Sequence, residues 1–163
     1  MTGRKLSWIA LFIALSTIGA AIKIPALVGS VALDVFPALF ASAMLGGGLG
    51  ALIGALGHLL SAVIVGMPLG AFHFIIALEM AFLVWVFGSL YNNGKRKSAA
   101  ILFILGNTFA APLPFLFMMG KAFYIGIVPS LLIGSILNVI VAIAVIPRLS
   151  PVFKMLYLKG ETK

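Results

Sequence analysis

Residues 24–65 read IPALVGSVALDVFPALFASAMLGGGLGALIGALGHLLSAVIV, and this stretch decides the fold. A spanning helix needs about 20 apolar residues to cross a hydrocarbon core of about 30 Å. The stretch is too long for one crossing and barely enough for two. Pro25 and Pro37 interrupt it early, and Gly46-Gly47-Gly48 interrupt it in the middle.

On either side lie further apolar runs at 6–22, 69–91, 99–120 and 122–147. Only 9% of the chain is charged, against about 25% in a soluble globule. Mean hydropathy is +1.27. These features predict a polytopic helical membrane protein, one membrane domain over residues 1–163. A β-barrel would alternate apolar and polar residues, and this chain does not.

Charge sets the number of crossings. Arg4 and Lys5 mark one cytoplasmic end, and Lys95-Arg96-Lys97 mark another. Both are cytoplasmic only if an even number of spans separates them, so the middle stretch holds two, joined at the glycine triplet. The expectation is an all-α protein of six transmembrane helices, near 5–22, 35–45, 48–65, 69–91, 98–119 and 124–147, with both termini cytoplasmic. Nine basic residues then fall inside, and Lys23 and Lys121 fall outside. The second helix is short for a crossing, so it is expected to be tilted or preceded by a folded outer loop over residues 23–34.

Several function classes are excluded or disfavoured. The net charge of +8 sits at span ends, which argues against nucleic-acid binding. The absence of cysteine removes disulfides, thiolate metal sites and cysteine nucleophiles. A signal peptide ending near Gly19-Ala20-Ala21 competes with a first spanning helix, and the helix is the preferred reading. No phosphate loop, Gly-x-Ser-x-Gly or His-Glu-x-x-His occurs, no cofactor is implied, and any ATP-driven step needs a partner.

Against this background four ionisable residues stand out inside the apolar body: Asp34, His58, His73 and Glu79. A charge at the centre of a spanning helix costs about 2.5–3.5 kcal/mol on insertion scales. The expected topology gathers these four, with Lys23 and Lys121, in the outer half of the membrane or at its mouth. One reading is an outward-facing polar pocket for substrate. The other is hydrogen bonding between helices, with the lysines snorkelling to the surface. Asp34 also suits an N-cap before Val35. Glu79, flanked by apolar residues on both sides, must be paired, protonated or bound to ligand. The two histidines fit either a pocket or a satisfied core. No pair of these residues has tight metal-ligand spacing, so no metal is expected. Asn107 and Asn138, near the middles of helices five and six, suit either interhelical bonding or the pocket floor. Most of the 13 phenylalanines are expected to face lipid or core.

Two stripes of small residues are visible. Gly50, Gly54, Gly57 and Ser61 in helix three suit close packing within the chain. Ala10, Ala14, Thr17 and Ala21 in helix one suit either internal packing or a helix of another protein.

Length, six helices, a proline-containing outer loop, the glycine-rich second-to-third helix region and Ala10-Leu11-Phe12-Ile13-Ala14 together resemble the S components of energy-coupling factor (ECF) transporters. These are the substrate-binding subunits of prokaryotic vitamin importers. The runs Gly29-Ser30-Val31-Ala32-Leu33-Asp34, Gly57-His58-Leu59-Leu60-Ser61-Ala62, Gly66-Met67-Pro68-Leu69 and Phe72-His73-Phe74-Ile75-Ile76-Ala77 look like those of the α-ribazole transporters of cobalamin salvage. Met1-Thr2-Gly3 departs from the Met-His start of the metal importers, which argues against nickel or cobalt. The resemblance implies residence in a prokaryotic plasma membrane. It implies substrate capture under the loop over residues 23–34, with Asp34, His58, His73, Glu79, Lys23, Lys121, Asn107 and Asn138 as pocket candidates. It implies docking through Ala10 and Ala14 on a membrane coupling subunit, and toppling driven by two cytoplasmic ATPases. Riboflavin or thiamine is the alternative substrate. A small membrane enzyme using Glu79 and a histidine, or an assembly protein, is the alternative class.

Overall fold

The computed structural model describes residues 3–25 and 30–158, without the side chains of 23–25, 30, 31 and 158. The expectations for Lys159, Lys163 and the Lys23 side chain fall outside that set.

Helix α1 (Gly3–Ala21) leads into a two-stranded antiparallel hairpin, β1 (Lys23–Pro25) and β2 (Ser30–Ala32), in register Lys23 with Ala32. Then come α2 (Phe36–Leu45), α3 (Gly47–Ile64), α4 (Phe72–Asn92), α5 (Arg96–Leu105), a π-helical turn (Gly106–Ala110), α6 (Leu113–Met118) and α7 (Lys121–Leu158). Among the described residues, five helical segments are long and apolar enough to cross a membrane: 3–21, 47–64, 72–92, 96–118 and 121–157. The protein is thus an all-helical, multi-pass membrane protein with one small hairpin.

Helix α2 is the exception in length. Its 10 residues rise about 15 Å, half of a hydrocarbon core. It is instead the most enclosed helix, with Pro37 through Ala43 all buried against its neighbours. The hairpin precedes it, and Leu33 N–H, just after β2, donates to Gly19 O of α1 at 3.2 Å, which ties this non-helical segment to the bundle.

The helices approach closely where side chains are smallest. A Cβ on Gly57 would sit 2.8 Å from the Cβ of Ser16 in α1, and one on Gly50 would collide with Ser42 in α2. The stripe on α3 is therefore an internal packing surface. On α1, Ile9, Phe12, Ser16 and Gly19 are buried, whereas Ala10, Ala14 and Ala21 are exposed.

Three boundaries differ from expectation, each for a backbone reason. Helix α4 starts at Phe72 rather than 69, because Gly66, Met67 and Gly70 all take positive φ and turn the chain around Pro68. The fifth span is not one regular helix. Pro112 has no N–H to continue the ladder, and Ala111 N–H instead reaches Gly106 O at 2.8 Å, forming the π turn. The last helix does not stop at Pro147 but continues to Leu158. One carbonyl that the prolines leave without its helical donor, Pro147 O, accepts from Ser150 Oγ at 3.5 Å.

Helix ends alternate along the chain, so the C-termini of α1 and α3 and the N-termini of α2, α4 and α7 share one end of the bundle. At the other end Trp8, Phe12, Phe40, Phe153 and Tyr157 pack ring on ring, with Trp8 and Phe153 centroids 4.7 Å apart. Arg4 lies over the Tyr157 ring at 5.8 Å and Arg96 over Tyr91 at 5.2 Å, as cation–π contacts.

Candidate functional site

At the first end the helices enclose a cavity of about 510 Å³. It lies under the segment that joins β2 to α2 and between α3, α4, α6 and α7. Its polar lining includes Asp34, His58, Glu79, Asn107, Ser130 and Asn138. Apolar residues make up the rest, including Ile76, Met80, Phe115, Phe123, Ile127 and Leu131. A mostly apolar concavity with a few placed polar groups, within roughly 300–1,000 Å³, is the usual form of a small-molecule site.

Each wall follows from local geometry. Ile76, Glu79 and Met80 share one face of α4 at helical spacing. Glu79 Oε2 is buried and has no hydrogen-bond partner among the described residues. A carboxylate so placed favours a ligand that brings a hydrogen-bond donor or a positive charge. The π turn brings Asn107 into the bundle at 7% exposure, where its Nδ2 donates to Ser135 Oγ at 2.8 Å. On α7, Phe123, Ile127, Leu131, Gly134 and Asn138 form one stripe at spacings of three and four.

Asn138 holds the roof. Its Oδ1 accepts from Val35 N–H at 3.0 Å and Phe36 N–H at 2.9 Å, and its Nδ2 donates to Ala32 O at 2.8 Å and Gly134 O at 2.9 Å. The amide is thus fully engaged with backbone, and it caps α2 from another helix. This replaces the capping role considered for Asp34: the cap position is Val35, and it makes no side-chain cap bond. Asp34 is only partly exposed on the cavity wall. Burial pushes its carboxyl up from 3.8 to about 6, against the opposing pull of the Asp34 and Val35 backbone amides.

The histidines form a pair. His58 Nε2 lies 3.1 Å from His73 Nδ1, and Leu69 N–H donates to His73 Nε2 at 3.3 Å. His58 lines the cavity and the buried His73 stands behind it. Lys121 is exposed at the start of α7 and does not line the cavity. Among the described residues no group of three or more metal-ligating side chains occurs.

Reading the sequence missed most of the apolar lining. The sequence does not single out Phe115 or Phe123; Phe115 is buried, and the two rings lie 6.1 Å apart in the cavity wall. The stripe on α7 was the available signal, since five residues ending at Asn138 repeat at helical spacing. Ser135 was missed because only its pairing with Asn107 reveals it.

The fold and cavity define a multi-pass membrane protein built to hold a small molecule near one end of its helix bundle. The family described as the substrate-specific component of ECF transporters matches residues 4–159, and the chain belongs to that family. It is therefore the substrate-binding S component of an ECF transporter, which associates with other subunits of the ECF module, and not an enzyme. Solved structures agree in fold. One, of the S component of a bacterial ECF transporter, superposes with a TM-score of 0.74 at 22% identity, covering 94% of this chain and 99% of that one. No curated protein sequence gives a significant match.

Proposed function

We propose that this S component captures α-ribazole, a vitamin precursor used in cobalamin salvage, on the outer face of a prokaryotic plasma membrane. The observation that carries the reading is the cavity, whose phenylalanines can enclose a flat benzimidazole while Asp34, His58, Glu79 and Asn107 reach ribose hydroxyls and ring nitrogen. The motif runs around Asp34, His58 and His73 support it, since all three residues lie at this end of the bundle.

In the same reading the chain crosses six times with both termini cytoplasmic. The second crossing is made by the short α2, which the folded outer segment over residues 23–34 precedes. The cavity opens outward beneath residues 23–34, which act as the gate. Lys121, exposed at the start of α7, is assigned to the mouth, and so, from the sequence alone, is the Lys23 side chain, which lies outside the described residues. Asn138 serves the site by holding the gate to α7. The exposed small face of α1, with Ala10 and Ala14, docks on the membrane coupling subunit. Two ATPase subunits then drive the toppling that releases substrate inside.

Calorimetry on the purified chain, without ATP, tests the substrate. The titrants are α-ribazole, riboflavin and thiamine. The reading predicts one-to-one binding of α-ribazole in preference to the other two. Preferential binding of thiamine or riboflavin would reassign the substrate, and no binding across a wider vitamin panel would remove the capture reading.

A further inference from the structure

The hydrogen bonds around the two histidines have a direction, and a backbone amide sets it. Leu69 N–H can only donate, so His73 Nε2, 3.3 Å away, must carry a lone pair. An imidazolium at His73 would turn an N–H against that amide. His73 is therefore neutral with its proton on Nδ1. That proton points along the 3.1 Å contact to His58 Nε2, which must accept. The proton of a neutral His58 is then on Nδ1. This nitrogen has no partner among the described residues, on a side chain that lines the cavity. The tight turn matters here. Gly66, Met67 and Gly70 at positive φ bring the Leu69 amide back over the first turn of α4, where His73 sits.

We propose that His73 is a positioning residue, fixing His58 in the Nδ1–H tautomer so that this wall donates a hydrogen bond to the substrate. Glu79, whose Oε2 has no partner among the described residues, offers the opposite polarity on α4. The site then selects a ligand with an acceptor, such as an aromatic ring nitrogen, at the His58 wall and a donor, such as a hydroxyl, at Glu79. The inference rests on the small-molecule reading of the cavity and deepens it: it assigns complementary roles to two walls. α-Ribazole carries both groups, since its benzimidazole has one unsubstituted ring nitrogen and its ribose has hydroxyls.

The test uses the fact that the chain has only two histidines. Nitrogen-15 NMR of the imidazoles, in the full-length protein without ligand, reads both tautomers directly. The proposal predicts Nδ1–H on both rings. In His73→Asn the side-chain N–H replaces the Nδ1 donor, and His58 stays Nδ1–H. In His73→Leu the donor is gone, His58 shifts toward the Nε2–H form, and α-ribazole binding weakens by about tenfold or more. Finding Nε2–H on His58 in the wild type, or an unchanged Nδ1–H state in His73→Leu, overturns the proposal. Because the tautomers are read without ligand, an Nδ1–H pattern in a protein that does not bind α-ribazole supports the relay and removes the substrate assignment instead.

Discussion

At one end of the bundle, Trp8, Phe12, Phe40 and Phe153 fill the space between α1, α2 and α7 with stacked and edge-on rings. At the other end α7 and its neighbours leave about 510 Å³ open and line it with two carboxyls, a histidine and two asparagines. The ends differ in what the polar residues do. At the closed end Arg4 and Arg96 lie at the rim over the half-buried rings of Tyr157 and Tyr91. At the open end polar groups are carried into the interior, and one of them, Glu79 Oε2, has no partner among the described residues. A protein selected only for stability would fill the cavity and remove that carboxyl. Keeping both is what a binding protein does, since its ligand completes the packing and the hydrogen bonds.

The contrast can be broken in four ways, in falling order of effect. Phe12→Ala opens the closed end and should destabilise the fold by about 3 kcal/mol. It should leave ligand affinity within about threefold, because Phe12 does not line the cavity; thermal unfolding in detergent and calorimetry check the two halves. Glu79→Gln should do the reverse. Affinity should fall about 10- to 100-fold, as for loss of a charged hydrogen bond, with unchanged or raised thermal stability. Asn138→Ala removes the cap on α2 and the clamp on β2. A loss of about 1–2 kcal/mol is expected, together with faster hydrogen exchange at Val35 and Phe36.

Asp34 is expected to give the smallest effect, and it has a sign. Its carboxyl is raised from 3.8 to about 6, so protonation favours the folded form. The stabilisation is complete below about pH 4 and is lost as pH rises through about 6. Thermal unfolding of the wild type should therefore show melting temperature declining across that window. Asp34→Asn should be flat there, and at pH 7.5 should melt above the wild type. A wild type that gains stability from pH 4 to 6 relative to this variant contradicts the burial argument.

How much of this was visible in the sequence depends on the range of the interaction. The apolar runs, the break at Gly46 and the stripe of Gly50, Gly54 and Gly57 are local patterns, and each has a local physical cause. Topology gathers Asp34, His58 and Glu79 at a common end, whereas it leaves Asn107 and Asn138, near the middles of their helices, open between interhelical bonding and the pocket floor; the structure has both on the cavity wall. What was not legible depends on contacts across 15 to 106 positions. The His58–His73 pair needs the turn at Gly66–Gly70, and the role of Asn138 as a cap needs α7 beside Val35. Pro147 misled because a proline inside a membrane helix need not end it. Which phenylalanines line the cavity was not legible because their pattern does not distinguish a lipid face from a cavity wall.

The central claim is that the open end is the substrate site, and one titration tests it most directly. Ile127→Trp places an indole in the cavity from α7, away from the polar walls. The account predicts that wild-type protein binds α-ribazole one-to-one and that Ile127→Trp, with a melting temperature no lower than wild type, does not bind it. Undiminished binding to the filled variant would place the site elsewhere and contradict the account.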